Sequence, residues 1–558
     1  MHDTESSFSR RQFLKLSALV AGSSVLAACA APAPPAASGG AASVAPAAAA
    51  PEPSVAQVLR CPISNELTGN WDYTLSGGGF GLQMGLEMMD ALTDLDPNTG
   101  EVLPKVAASW EFLENGSVVH FTLRDDVTWS DGTAVTAHDY EYAIKRNLDP
   151  ATASQYAWAL YQIAGAEAYN TGGSTDAATV GVTALDDTHL EVRLGEPTPY
   201  LPKLTALWVT FPLKQEVIEK HGAEWWHPEN ALTNGPFRPE EWQVDQKWVL
   251  VRNEKYWGNM PTIERVEYTI FENAETQSLT AYEADELDIA MVSAADMERV
   301  QNDPVLSKEL HVWPRSANWQ LRLDMSNAAS PLSDQKVRQA LSLSIDRERL
   351  TNNVLKGTMG PAWTFIPPGT VGYNPAARLE GGVAEAKQLM ADAGYPNGEG
   401  FPGFKLVFVS TQGDASLMVQ ALAGMWKEAL GIDVELVPAP ENWRTLIKTE
   451  PFDMYIGRWY ADYEDPQDWH NLMLVQDHVS THYANQEWIA AVEAAKVELD
   501  PEKRRAMYEQ AEVDLMRDLP IIPLTFPSQL WVIKPNVEGL VPRNLIGDPS
   551  YRHAKITA

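Results

Sequence analysis

Segments with strand-like and helix-like residue patterns alternate along the chain from about residue 55 to its C-terminus. Such an alternation favours a mixed α/β fold, in which helices pack against the faces of sheets. We find no repeat of the solenoid type, so an architecture of stacked repeats is not expected. The chain has 558 residues, 45% of them hydrophobic, which is enough for two or more domains with their own cores.

Local patterns in the first half of the chain predict a hairpin and a helix. Asn115-Gly116, between Trp110–Phe112 and Val118–Leu123, predicts the turn of a β-hairpin. Thr136-Ala137-His138-Asp139 has the spacing of a capping box, and apolar residues at helical spacing follow it. The helix that begins there should end near Asp149-Pro150, because the residue before a proline disfavours helical geometry.

The second half of the chain carries signals for two further helices and a long strand. Ser333-Asp334 should cap one helix, and Asp500-Pro501 should begin another that ends before Pro520. An extended apolar run over residues 521–532 follows directly and predicts a buried strand.

The N-terminus carries the most specific local signal. Ser9-Arg10-Arg11-Gln12-Phe13-Leu14-Lys15 matches a twin-arginine export motif, and the apolar stretch 16–28 is too short to span a bilayer. Small residues directly before Cys29 are typical of bacterial lipoprotein processing. We therefore predict a twin-arginine lipoprotein signal peptide over residues 1–28, a lipid anchor on Cys29 and an Ala/Pro-rich disordered tether over residues 29–53. An ordinary signal peptide followed by a chance Cys is the alternative.

Charge and cysteine content narrow the possible partners. The formal net charge of −33 argues against nucleic acid as a partner, because phosphates require clustered Lys and Arg. If Cys29 carries lipid, Cys61 is the only other cysteine and no internal disulfide can form. We expect Cys61 to be a small buried side chain. The protein should lie in the periplasm or on the outer face of the cytoplasmic membrane, held there by its lipid anchor.

Several sequence blocks follow one another in a recognisable order. They include Pro104–Glu111, Trp129-Ser130-Asp131-Gly132, Thr233-Asn234-Gly235-Pro236-Phe237, Arg252–Trp257 and Ala393-Gly394-Tyr395. From about Val55 to the C-terminus the chain resembles the family 5 solute-binding proteins, the receptors of peptide and nickel ABC importers, and most of all the oligopeptide-binding members. The resemblance implies a receptor, expected to be monomeric, that is not an enzyme, needs no cofactor, and passes a captured oligopeptide to membrane permease subunits.

The resemblance also implies the architecture. The fold would be the two-lobed α/β fold of periplasmic binding proteins, of the class II type, with the ligand cleft between the lobes. Lobe I would comprise residues 54–318, with an extra subdomain inserted at about 90–210, and lobe II would comprise residues 319–524. Residues 525–558 would return to lobe I, which makes lobe I discontinuous. The two crossings between lobes should lie near Trp313–Arg322 and Pro523–Leu530.

The family's ligand-binding residues can be carried over only where the motif matches. Trp459-Tyr460-Ala461-Asp462-Tyr463 resembles the segment in which an aspartate binds the α-amino group of the peptide, a role that falls on Asp462. Tyr156, Trp443, Trp459 and Tyr460 are implied to line the cleft, and the backbone of Asn234-Gly235 is implied to face the ligand.

The family's cationic residues for the peptide carboxylate have no clear counterpart in this chain. Arg444 and Lys448 precede the matching segment, and Arg458 lies directly before Trp459. We expect Arg458 to contact the ligand; Arg322, near the first crossing, is another possible anion partner. Recognition of an amine is therefore better supported by the sequence than recognition of a carboxylate.

Other functions remain open alternatives. The same fold could bind an oligosaccharide, a dipeptide or a metal complex, and a secreted hydrolase is a remote possibility that would need a carboxylate pair in one pocket. The chain has no GxxxxGK[ST], HExxH or GxSxG motif, which are typical of nucleotide hydrolysis, zinc peptidases and α/β-hydrolases. The acidic run Asp462, Glu464, Asp465 and Asp468 lacks the spacing of an EF-hand, so we predict no metal site.

Overall fold

The computed structural model describes residues 55–64, 72–75, 80–439, 452–475, 481–543 and 547–558. Its strands are β1 Val58–Ser64, β2 Thr93–Leu95, β3 Val102–Pro104, β4 Ala107–Leu113, β5 Val118–Leu123, β6 Val182–Ala184, β7 His189–Arg193, β8 Phe237–Gln243, β9 Lys247–Arg252, β10 Arg265–Phe271, β11 Ile289–Met291, β12 Leu310–Pro314, β13 Ala317–Leu323, β14 Met359–Pro361, β15 Phe404–Val409, β16 Val434–Ala439, β17 Met454–Tyr460, β18 Ile521–Ile533, β19 Val537–Glu538, β20 Val541–Pro542, β21 Pro549–Ser550 and β22 Lys555–Ile556.

The α-helices alternate with these strands along the chain. They are α1 Phe80–Met88, α2 Ala137–Leu148, α3 Ala166–Asn170, α4 Leu201–Leu204, α5 Gln215–His221, α6 Ala274–Glu283, α7 Met297–Asn302, α8 Leu306–Glu309, α9 Gln335–Leu343, α10 Arg347–Arg349, α11 Val383–Asp392, α12 Gly413–Leu430, α13 Pro466–Leu474, α14 Gln486–Lys496 and α15 Pro501–Asp518. Across the described ranges, no helix combines the length and the apolar character that crossing a membrane would need.

Three larger sheets organise the fold. The first has the strand order β1-β10-β9-β8, and the second, which is antiparallel, has the order β4-β5-β7-β6. The third has the order β11-β18-β13-β17-β15-β16, with β12 and β14 also paired to β18. Helices pack against strands throughout, which confirms the predicted α/β class.

Two large apolar cores lie on either side of the third sheet's longest strand. The first core gathers residues from β1 to β11 together with the C-terminal segment, and the second gathers residues between β13 and the start of β18. β18 itself passes from one core to the other: Ile521 and Leu524 belong to the second core, whereas Trp531 and Ile533 belong to the first. The residue limits predicted for the lobes and for the inserted subdomain stay predictions.

Most local predictions agree with the structure. β4 and β5 form the expected hairpin, and Asn115 in its turn has a left-handed φ of 56°. α2 carries the full capping box of Thr136 and Asp139 and ends at Leu148. Asp334 and Asp500 accept backbone hydrogen bonds as the N-caps of α9 and α15, and β18 covers the predicted extended run. Cys61 is fully buried in β1.

Candidate functional site

Asp462 lies where the chain passes from one core to the other. The preceding Ala461 belongs to the second core, and the following Tyr463 belongs to the first. β17 delivers the segment to this position, because the ladder between β13 and β17 runs up to the pair Ala317–Tyr460, and the N–H of Ala461 still donates to the Ser316 carbonyl at 2.8 Å. Asp462 therefore occupies the boundary between the two halves of the molecule.

The carboxylate of Asp462 has a hydroxyl donor but no cation. The Tyr156 hydroxyl donates a 2.6 Å hydrogen bond to Oδ1 of Asp462. Within the described part of the chain, no Lys, Arg or His nitrogen comes within 4.0 Å of this carboxylate. Burial raises the pKa of Asp462 to about 6, even though the hydrogen bond from Tyr156 opposes the shift. Such a group is suited to bind a cation that arrives from solution.

Aromatic rings hold Tyr156 in place. Its ring centroid lies 4.6 Å from that of Trp208 and 5.3 Å from that of Trp158, within the range of favourable aromatic pairs. Burial, and then the charge of Asp462, raise the pKa of the Tyr156 phenol, so its hydroxyl remains a donor at any physiological pH. The structure thus brings together two predicted site residues, Tyr156 and Asp462, that are 306 positions apart in sequence.

A second carboxyl group, Asp468, lies directly behind Asp462. It belongs to the first turn of α13, is 3% exposed, and uses one oxygen, Oδ2, for two contacts. This oxygen accepts the backbone N–H of Asp462 at 3.1 Å and the indole N–H of Trp459 at 3.3 Å. Burial, and then the nearby charge of Asp462, raise the pKa of Asp468. Asp468 therefore holds both Trp459, the predicted cleft tryptophan, and the backbone of Asp462, the residue predicted to bind the amine.

The neighbouring Asp465 shows the opposite electrostatics. Arg504 contacts it through two nitrogens at 2.6 and 2.9 Å, and Lys203 Nζ lies 3.2 Å away. Burial would raise the pKa of Asp465, but the charges of Lys203 and Arg504 outweigh it and lower that pKa to about 2. The chain thus provides two cations for Asp465 and, among the described residues, none for Asp462 or Asp468.

Two arginines flank the ring of Tyr460 near the end of β17. The guanidinium carbons of Arg315 and Arg458 lie 4.6 and 5.2 Å from its centroid, which is cation–π geometry. Neither arginine forms an ion pair with a described carboxylate. Burial raises the pKa values of Asp414 and Glu275; the charge of Arg458 opposes both shifts, and that of Arg315 opposes the shift of Glu275. In a chain with 75 acidic and 42 basic side chains, two such arginines mark a local site for an anion.

The last part of β17 also has a ladder partner on one side only. β13 pairs with the whole strand, whereas the ladder to β15 covers just the pairs Leu406–Met454 and Val407–Tyr455. In the described ranges, residues from Ile456 to Tyr460 therefore present a strand edge on the side away from β13. Such an edge can pair with the backbone of an extended ligand.

The remaining predicted residues are not part of this arrangement or cannot be placed. Asn234 and Gly235 are buried and use their polar groups inside the protein: the Asn234 side chain bonds the backbone of Asp90, and Gly235 bonds Met88 and Asn253. That their backbone faces the ligand stays a prediction. Arg322 is 2% exposed and donates to the Tyr455 hydroxyl and the Arg458 carbonyl. Trp443, Arg444, Lys448 and Cys29 lie outside the described residues.

Sequence reasoning did not find the roles of Asp468, Arg315 and Lys203. Asp468 was visible only as one of several acids in a run. Arg315 and Lys203 meet the site through contacts between segments far apart in the chain, and no local pattern signals such contacts.

Comparisons with known proteins give a consistent result. The model of the bacterial extracellular solute-binding proteins, family 5 (middle region), matches residues 101–480. The periplasmic oligopeptide-binding protein of Escherichia coli (strain K12) is 33% identical over 466 residues, which are 80% of this chain and 83% of that protein. The unliganded open form of the murein tripeptide-binding protein MppA superposes with a TM-score of 0.81 at 29% identity, covering 90% of this chain and 98% of that one. These similarities confirm the predicted two-lobed fold.

A second structure of the murein tripeptide-binding protein, from Escherichia coli, gives information about the conformation. It covers the same 90% of this chain, and 99% of its own, at 30% identity, but its TM-score is lower, at 0.69. The conformation described here is thus more similar to the structure titled unliganded and open.

Proposed function

Because the chain belongs to the bacterial extracellular solute-binding proteins of family 5, we propose that it captures extracellular oligopeptides between its two lobes and delivers them to the permease of an ABC importer. Members of this family are exported transport receptors and not enzymes. The observation that carries the peptide proposal is the buried, cation-free carboxylate of Asp462 at the boundary between the two cores.

Asp462 would bind the α-ammonium group of the peptide. A buried ammonium is very costly unless it has a charge partner, and Asp462 offers a carboxylate whose second oxygen is not used by Tyr156. Tyr156 and Trp459 would form the walls of this amine site, since one donates to Asp462 and the other is held by Asp468 behind it. Trp443 stays a predicted cleft residue.

The edge of β17 and the two arginines would bind the rest of the ligand. Backbone pairing along residues 456–460 would give affinity without reading side chains. Arg458 and Tyr460 alternate along β17, and Asp462 follows two residues after its end; four residues at about 3.3 Å each would place the cation and the carboxylate at most roughly 13 Å apart along the backbone. We propose that Arg458 and Arg315 bind the terminal carboxylate, which suits a ligand of about three or four residues.

Export and anchoring complete the proposal. The twin-arginine motif and Cys29 support a lipid-anchored receptor on the outer face of the cytoplasmic membrane, with residues 29–53 as its tether. We expect it to act as a monomer. Closure of the lobes around the ligand would exclude water and create the shape that the permease recognises.

The experiment is a calorimetric titration with trialanine, N-acetyl-trialanine and maltotriose. We expect micromolar or tighter binding of trialanine only. Asp462→Asn retains an acceptor for Tyr156 but removes the charge, so trialanine should bind at least about thirtyfold more weakly, which corresponds to about 2 kcal/mol. Asp125→Asn, which removes an exposed carboxylate, is the matched control and should bind like the wild type. Binding of maltotriose that survives Asp462→Asn would instead identify an oligosaccharide receptor.

A further inference from the structure

Among the residues that the structure describes, no Lys, Arg or His forms an ion pair with the carboxyl group of Asp462 or Asp468. Asp468 Oδ2 accepts the N–H of Asp462, so the two side chains extend from the same short turn. The charge of Asp462 opposes ionisation of Asp468, and an uncompensated buried charge is costly. In the absence of a ligand, at least one of the two must hold a proton.

The groups around the pair decide which carboxyl group keeps that proton. Asp468 is 3% exposed and its charged neighbours are the acids Asp462 and Asp465, both of which oppose its ionisation. Asp462 is half-buried and accepts a hydrogen bond from the Tyr156 hydroxyl. In the described part of the chain, Lys203 and Arg504 bind the neighbouring Asp465.

Of the other acidic groups in this segment, Glu464 is buried and accepts a 2.8 Å hydrogen bond from the Ser316 hydroxyl. The Tyr463 hydroxyl donates to Gln467. Neither brings a positive charge to Asp468.

We propose that Asp468 is a neutral positioning residue of the amine site, which keeps its proton with and without ligand and leaves a single negative charge on Asp462, for which the ligand's ammonium group and a solvent proton compete. This inference rests on the proposed function. In its neutral form Asp468 still accepts hydrogen bonds from the Trp459 indole N–H and the Asp462 backbone N–H. It thereby holds in place both the tryptophan wall of the site and the residue that binds the ammonium group. Binding of one ammonium then neutralises the site.

The proposal has a definite pH dependence. Below a pKa of about 6 for Asp462, the ammonium must displace a proton, which passes to solvent. A peptide α-ammonium keeps its own proton up to about pH 7.7. The affinity for trialanine should therefore be nearly constant between pH 7 and 7.5 and about tenfold weaker at pH 5. About one proton should be released per peptide bound at pH 5, and almost none at pH 7.

The test combines this proton count with two variants of Asp468. The proton count is obtained by titrating trialanine in two buffers of different ionisation enthalpy. Asp468→Asn reproduces the neutral acid and both accepted hydrogen bonds, so its affinity at pH 7 and its pH profile should match those of the wild type within about threefold. Asp468→Ala removes both hydrogen bonds, so we expect at least tenfold weaker binding at pH 7.

Three results would overturn the proposal while the peptide function stands. These are release of about one proton at pH 7, a tenfold loss of affinity in Asp468→Asn, or unchanged affinity in Asp468→Ala. If the wild type binds no trialanine at either pH, the proposed function itself has failed. Should Asp468→Ala not fold, the proton count and Asp468→Asn still decide the question.

Discussion

Two deeply buried carboxyl groups show how a partner sets the ionisation of a residue. Asp465 and Glu512 are 1% and 0% exposed. The cations of Lys203 and Arg504 keep Asp465 ionised, with a pKa of about 2. Glu512 forms no ion pair with any described residue: one of its oxygens accepts the backbone N–H of Ile366, and burial raises its pKa to about 8. At equal depth, Asp465 is therefore ionised at neutral pH, whereas Glu512 is mostly protonated and uncharged.

Replacement of Glu512 by Gln should change how stability depends on pH. The folded-state pKa of this acid is raised above its unfolded value, so its stabilising effect is complete below about pH 4.5 and is lost as pH rises towards 8. Over that window Glu512 lowers the wild type's free energy of unfolding by up to about 1.4 kcal/mol per pH unit. Glu512→Gln should lack this slope in urea titrations at pH 5, 6.5 and 8.

Glu493→Gln is the matched control for this experiment, because Glu493 is exposed on α14. It should follow the wild-type curve. If Glu512→Gln also kept the full slope, the carboxyl group of Glu512 would be ionised in the folded protein.

For single residues, the sequence predicts which side chains can bind a ligand better than it predicts which side chains they contact in the folded protein. Asp462 could be singled out from its motif, and the structure gives it a half-buried position that suits the amine role. Its contact with Tyr156 depends on the packing of Trp208 and on segments 306 residues apart, so no local pattern could reveal it. The bonds between the Asn234 side chain and the Asp90 backbone likewise join segments far apart in the sequence, which no local pattern signals.

At the element scale, the turn at Gly235 is fixed by a close backbone approach. A Cβ atom added to Gly235 would lie 2.5 Å from the Met88 carbonyl carbon, at the end of α1. This neighbour is backbone and cannot rotate away, so we expect Gly235→Ala to lower the free energy of unfolding by about 1–3 kcal/mol. Chemical denaturation measures the change. Gly424→Ala is the control: this exposed glycine inside α12 has open space around it and should gain about 0.4–1 kcal/mol.

If both alanine variants had the same effect, the turn at Gly235 would be able to move away from α1. The contrast between the two glycines therefore tests whether close approach, and not helix propensity, determines the cost.

Elements with local signals were predicted well, and elements defined by packing were not. The β4–β5 hairpin, α2 and β18 have turn, capping and apolar-run signals, and each lies within a few residues of its predicted place. The one-sided ladder of β17 depends on where its pairing with β15 stops, which is a property of the assembled sheet. Sequence patterns carry no information about which strands become neighbours across such distances.

At the scale of the whole molecule, two cores joined through β18 suit a receptor that closes around its ligand. The amine site lies at their boundary, so movement of one core relative to the other changes the enclosure of Asp462. The net charge of −33 would by itself repel a peptide carboxylate, and the arginine pair around Tyr460 offsets this locally. Under the proposed function, each end of a zwitterionic peptide would meet a group of opposite charge.

Native mass spectrometry of the purified protein, mixed with equal amounts of free and N-acetylated tripeptides of the same sequences, tests the central claim most directly. The two pools differ only in the charge that Asp462 should bind. We predict that the protein retains the free peptides and almost none of the acetylated ones at pH 7. Equal retention of both pools would contradict recognition of the α-ammonium group, and retention of neither would contradict the peptide-receptor function.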